Sequence, residues 1–298
     1  MALGLEADLI LDRRRLKRRL VFWRVLGVVA LVALALALIR PGLATRHVAR
    51  VNISGIITDN QRLLDTIARL RRDRAVPAVI VSIDSPGGSV AGGEALFDAL
   101  GRLAKAKPVV AVMRGTAASA AYMAALPAAR IFAREGTLTG SIGVILEAPE
   151  IGGLLARLGA SVQVVKSGPL KDQPSLTAPL SPAGQAYLQD LVSNLFGQFV
   201  NRVAVARHLD PARVRELADG RAYTGQQALA LGLVDEIGGE PEARAWLSRV
   251  RHVSAKLPVR DVAAGGFYRR TLGAMMGGLI GAVGDAIPLA PSAMALWR

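Results

Sequence analysis

The sequence contains no cysteine, which excludes disulfides, a thiolate nucleophile and cysteine-bound zinc. Histidine is almost as scarce. His47, His208 and His252 are the only three, and none pairs with another at His-x-x-x-His spacing, so neither a catalytic metal nor another cofactor is expected. All three also lie outside residues 76–172, where the remaining chemical signals fall. Internal repeats and disordered linkers are absent between 47 and 255.

The 298 residues, 52% of them apolar, suffice to bury one large core. A net charge of +14 suggests a nucleic-acid partner until the charges are located. Residues 1–46 hold nine Lys/Arg against Glu6, Asp8 and Asp12, a net +6. Residues 244–298 hold eight against Asp261 and Asp285, another +6, which leaves 47–243 at only +2. Basic ends around a near-neutral middle point to a membrane surface and away from nucleic acid.

Val25 to Ile39 is an unbroken apolar run of fifteen residues, and Val21-Phe22-Trp23 extends it to about one bilayer thickness if Arg24 snorkels. Arg13-Arg-Arg-Leu-Lys-Arg-Arg19 precedes it, and only Arg40, Arg46 and Arg50 follow closely. The positive-inside rule then predicts a cytosolic basic segment (1–20), a transmembrane anchor (21–40) and a domain across the membrane from 41 onward. A cleaved signal peptide ending near Gly42-Leu43-Ala44 is the alternative, and it exports the same domain.

Beyond the anchor, Val48–Ile53 alternates like a strand ending at Ser54-Gly55, and 60–74 has helical spacing. Ala78–Ile83 and Val109–Met113 read as strands buried on both faces, with an amphipathic helix from Glu94 to Lys105 between them. Ala129–Ala133 and Ser161–Lys166 read as further strands, and Ile151–Leu158 as a helix. Ser181-Pro182 caps a long helix to about His208. Asp210 and Thr224 open the next two, and Pro241–Val250 forms a last short one. This alternation indicates an α/β domain, mostly parallel, over 41–255. Residues 256–298 form an apolar Gly/Pro-rich tail in which Pro288, Pro291 and Asp285 argue against a second span. A surface-packed or membrane-lying segment, or a contact between copies, is expected there.

The first strand delivers Asp84-Ser85-Pro-Gly-Gly88 at its carboxyl end, where α/β sheets bind ligands and glycines admit close backbone approach. The second delivers Gly115 to Ser119 ahead of a short helix, which leaves the hydroxyl reachable and the Ala120 amide facing incoming negative charge. This is not a Gly-x-Ser-x-Gly elbow. Without a nearby imidazole, the candidate base for Ser119 is an amine, and Lys171 stands in Lys166-Ser-Gly-Pro-Leu-Lys-Asp172. Ser141, in Thr139-Gly-Ser-Ile-Gly143, is a third polar group set among glycines. Each fragment alone also reads as an ordinary turn or a solvated lysine.

Together, Ser85-Pro-Gly-Gly88, Ala118-Ser-Ala-Ala-Tyr122, Thr139-Gly-Ser-Ile-Gly-Val144, Ser167-Gly-x-x-Lys-Asp172 and Tyr223-Thr-Gly-x-x-Ala-Leu-x-x-Gly-Leu-Val-Asp235 resemble the signal peptide peptidase A family in order and spacing. The resemblance covers about 47–250 and is to the short, single-repeat bacterial form. It implies a Clp protease/crotonase-like fold of repeated ββα and βαβ units. It also implies a membrane serine endopeptidase acting on peptides such as signal peptide remnants, and a homo-oligomer. By the same resemblance Ser119 is nucleophile, Lys171 general base and Ser141 the group that orients the lysine. Gly88 and Ala120 amides form the oxyanion hole, and Ser85 and Gly87 border the substrate groove. The family often has Gly-Gly after the nucleophile; here Ala120-Ala121 stand instead, and their methyl groups are expected to narrow the cleft. A crotonase-like acyl-CoA enzyme and a non-catalytic membrane scaffold are the rival readings.

Overall fold

The computed structural model describes residue 17, residues 19–32 and residues 45–262. Residues 19–32 form a helix, α1, with exposed apolar side chains such as Phe22, Trp23 and Leu31. No helix among the described residues is long and apolar enough to cross a membrane. The rest of the expected anchor (33–40), most of the basic segment and the tail beyond 262 lie outside the described residues.

The domain from His47 onward is an eight-stranded sheet flanked by helices. Its elements are β1 (Val48–Ile57), α2 (Gln61–Arg72), β2 (Val79–Gly88), α3 (Val90–Ala104), β3 (Val109–Ala118), α4 (Ala120–Ala125), β4 (Arg130–Ala133), β5 (Leu138–Gly140), α5 (Gly152–Arg157), α6 (Pro182–Arg207), α7 (Pro211–Leu217), β6 (Ala222–Thr224), α8 (Gly225–Ala230), β7 (Glu236–Ile237), α9 (Glu240–Arg251) and β8 (Val259–Asp261). The main order is β6-β5-β3-β2-β1-β8, and β4 pairs with β3 and β7. All pairings are parallel except β5–β6.

Alternation sends the two faces of each central strand into separate cores. Val51, Ile53, Val81, Ile83, Ala111 and Met113 meet the helices on one side. Val48, Ile80, Val110 and Phe132 meet Trp246 and Leu247 of α9 on the other. The first five residues of β2 and β3 are all buried, as their continuous apolar runs require. Ser181, Asp210 and Thr224 each accept from the first turn of the helix they open.

Five local expectations are corrected. β1 does not stop at Ser54-Gly55 but continues to Ile57 across a register shift. The Pro-Gly-Gly segment is not a turn, because Gly87 and Gly88 stay in β2 opposite Ile56 and Ile57. α3 starts at Val90, one turn earlier than the periodicity indicates, because Ser89 accepts from Gly92 N and caps it. Leu138–Gly140 is a strand, paired to β3 and β6. Ser161–Lys166 is irregular: Val162, Val164 and Val165 are exposed, and a lone strand has no ladder to join. At the other end of the domain, Val259–Asp261 adds β8 to the sheet beside β1, so the folded domain continues past 255.

Candidate active site

Strand β3 runs without a break from its buried half to Ala118, and α4 begins at Ala120. Ser119 makes the whole turn between them, at φ 55 and ψ −123. A non-glycine residue there carries backbone strain of about 1–3 kcal/mol and is held by its surroundings. Here Ser119 N donates to Gly140 O at 2.9 Å, and Ser119 O accepts from Met123 N at 3.0 Å. The geometry is that of a nucleophile elbow, reached with alanines where the usual pattern has glycines.

Close approach comes from β2. A methyl group at Gly87 would lie 2.9 Å from both Ala118 O and Ser119 Cβ, and 3.2 Å from Ala120 N. With φ +110 as well, Gly87 fits where no other residue does. Ser85 is fully buried, so its side chain does not line a surface groove as expected. Its hydroxyl donates to Gly55 O at 2.6 Å and accepts from Gly87 N at 3.1 Å, pinning the β2 end against the Ser119 turn. Asp84 bridges to β3 by accepting from Thr116 N at 3.1 Å.

Ala120 opens α4, where a backbone amide has no acceptor within the helix and can face a developing negative charge. The methyl groups of Ala120 and Ala121 are buried, which corrects the expected narrowing of the cleft. A methyl on Gly93 would sit 2.9 Å from Ala120 Cβ, so the Ala120 side chain fills the α3–α4 contact. Tyr122 anchors the helix from below, its hydroxyl donating to Leu233 O at 2.9 Å while burial pushes its phenol well above the ordinary tyrosine range. Asp235, two residues on, accepts from Arg207 at 2.7 and 3.2 Å and from Ile131 N at 2.7 Å. The late Gly-Leu-Val-Asp run is therefore the footing of α4.

Ser141 follows the carbonyl that receives the Ser119 amide, at φ 47, and its own amide donates to Arg221 O at 3.0 Å. Gly87, Ser119, Ala120 and the Gly140–Ser141 backbone thus converge. Lys171 makes no side-chain hydrogen bond to any of them. It is exposed in the turn between α5 and α6, its amide donating to Gly168 O at 3.2 Å. Its neighbour Lys166 takes Asp172 as ion partner at 2.6 Å, which lowers the Asp172 carboxyl. Sequence reasoning missed Gly93, Gly140 and the Tyr122–Leu233 bond. The Gly92-Gly93 pair directly ahead of the Glu94–Lys105 helix pattern was the available signal.

An α/β fold that presents a strained serine between strand and helix, with an adjacent glycine backbone and first-turn amide, has the layout on which serine hydrolases build their site. The sequence pattern of peptidase family S49 matches residues 102–254, and that of Clp protease matches residues 49–137. A protein of Synechocystis sp. named as a protease is 41% identical over 203 residues, 67% of this chain and 73% of its own length. One of Enterococcus faecium named as a signal peptide peptidase is 33% identical, over 72% of this chain and 66% of its own. Protease 4 of Salmonella typhi is 36% identical, over 65% of this chain but only 31% of its own length. Among solved structures, a membrane-bound stomatin-specific protease is 19% identical, with a TM-score of 0.49 over 74% of this chain and 99% of its own. The chain belongs to peptidase family S49.

Proposed function

We propose that the chain is a membrane-anchored serine endopeptidase with a Ser119–Lys171 dyad, cleaving peptides such as signal peptide remnants on the outer side of the cytoplasmic membrane. The observation that carries this reading is the Ser119 turn, strained at φ 55 and pressed by a backbone where only glycine fits. In the proposed reaction, neutral Lys171 takes the hydroxyl proton as Ser119 Oγ attacks the scissile carbonyl carbon. Gly88 and Ala120 amides hold the resulting oxyanion, and Ser141 positions the amine. Lys171 then protonates the leaving nitrogen as the C–N bond breaks. Water, deprotonated by the same amine, releases the acyl group and restores Ser119.

Export to the outer face rests on the Arg/Lys asymmetry about the apolar run. Assembly of copies is supported by exposed apolar side chains between α4 and α6, among them Ile145, Leu154, Leu158 and Val165. A fluorophosphonate probe tests the chemistry. Mass spectrometry should find the adduct on Ser119 in the wild type, and Ser119→Ala should take no label. Equal labelling of the Ser119→Ala protein, or an adduct elsewhere, would overturn the nucleophile and leave the scaffold reading.

A further inference from the structure

The parallel strands all begin at one end of the domain, and their preceding loops are tied together there. His47 N donates to Ala75 O, Val48 N to Pro258 O and Val79 N to Pro108 O, at 2.9–3.0 Å. Lys107 clamps the same loops by donating to the Asp73 and Val76 carbonyls. Helices α2 and α3 run antiparallel to the strands, so their carboxyl ends arrive at this end as well. The result is a concentration of charge: Arg71, Arg72, Arg74, Arg102, Lys105 and Lys256 are all exposed here, against one carboxylate, Asp73. None of the six is ion-paired with another described residue.

Helix dipoles explain only part of this. Arg71, Arg72 and Arg102 fall in last turns, where helix carbonyls attract cations. Arg74 and Lys256 lie in loops beyond any helix and have no such reason to be basic. Residues 47–243 as a whole are near neutral, so the asymmetry is local to this end.

The chain joins the domain at this same end, at His47. The apolar run closes at Ile39, and residues 40–46 can span at most about 25 Å when fully extended. If that run lies in a bilayer, as in the function proposed above, the basic end is held within that distance of the headgroups. We propose that it is a docking face for an anionic phospholipid surface, its unpaired guanidinium and ammonium groups meeting lipid phosphates. Such a contact fixes the orientation of the domain, which a flexible tether alone does not. It acts within a Debye length of about 8–10 Å and weakens with salt.

The absence of native cysteine makes the test direct. Full-length protein carrying a fluorophore at Ala106→Cys, on the basic end, is reconstituted into phosphatidylcholine vesicles with or without phosphatidylglycerol and a headgroup-labelled quencher lipid. A label at Glu135→Cys, beyond the carboxyl end of β4, is the control. Quenching at 106 should exceed that at 135 on anionic vesicles, fall with added salt, and fall at least about twofold when Arg71, Arg72, Arg74, Arg102 and Lys105 are all changed to Gln. Cleavage of a soluble peptide should be unaffected by those changes. Equal quenching at 106 on neutral and anionic vesicles, or no effect of the five substitutions, overturns the proposal.

Flotation separates this from the anchor. Failure to float with neutral vesicles sinks the anchor reading alone, and the docking face then still has to bring wild type, but not the five-site variant, up with anionic vesicles. Flotation with neither overturns both. Binding to duplex DNA that the five substitutions abolish, with indifference to anionic vesicles, assigns the face to nucleic acid and overturns the lipid proposal.

Discussion

At the scale of single residues, the site depends on buried polar groups that take no part in bond making. The Ser85 hydroxyl satisfies Gly55 O and receives Gly87 N, and so fixes the backbone that presses on Ser119. Ser85→Ala should lower stability by about 1–3 kcal/mol in denaturant unfolding, because partners in the interior lose their bond. It should also slow phosphonate labelling of Ser119; unchanged stability and labelling would mean that the β1–β2 ladder alone holds Gly87. Tyr122 offers a pH test. Burial raises its phenol well above the ordinary value of 10.0, so the folded chain keeps a proton that the unfolded chain loses. That contribution is fully present below pH 10 and is lost as pH rises beyond it. Tyr122→Phe strips Leu233 O of its donor, again about 1–3 kcal/mol near neutrality. The variant should then lose less than wild type above pH 10, so the two stability curves converge. A gap that stays constant into the alkaline range would show that the phenol ionises as freely folded as unfolded.

At the scale of elements, what was legible in the sequence followed how local each signal is. Ser181-Pro182, Asp210 and Thr224 announce their helices because a cap and its helix are neighbours in the chain. The buried halves of β2 and β3 announce themselves by continuous apolar runs. Strands β5 to β8 have two or three residues each and exist only through partners far away in sequence, so no window reveals them. The Pro-Gly-Gly segment looked like a turn because its register shift, which lets the strand bend toward Ser119, is a property of two paired strands. In the site, Ser119, Ala120 and Gly87 were readable as a pattern, but the hydrogen bonds that hold the pattern were not. The alternation over 161–166 is real, yet a single chain gives it no neighbour. If copies of the chain supply that neighbour, Val165, now fully exposed, becomes buried between them. Val165→Asp should leave the stability of one chain within about 0.5 kcal/mol. It should shift sedimentation velocity profiles toward smaller species, and an unchanged profile would remove this segment from the interface.

At the scale of the molecule, the dyad is a question of assembly. Lys171 is exposed, and its neighbour Lys166 already occupies Asp172. A base must give up its charge, burial disfavours a charged amine, and an apolar interface between copies is a physical means of supplying that burial. Specific activity should therefore fall when the protein is diluted through its dissociation range, in step with the loss of assembled species. Lys171→Ala and Lys171→Arg should be inactive at every concentration, since a guanidinium does not deprotonate in a protein. Lys166→Ala should remain active, because exposed ion pairs such as Lys166–Asp172 contribute little. A fluorogenic peptide assay across protein concentration reads all of these at once. Activity in Lys171→Arg equal to wild type would overturn the base. Specific activity independent of concentration while the oligomer dissociates would show that a single chain buries its own lysine when peptide binds.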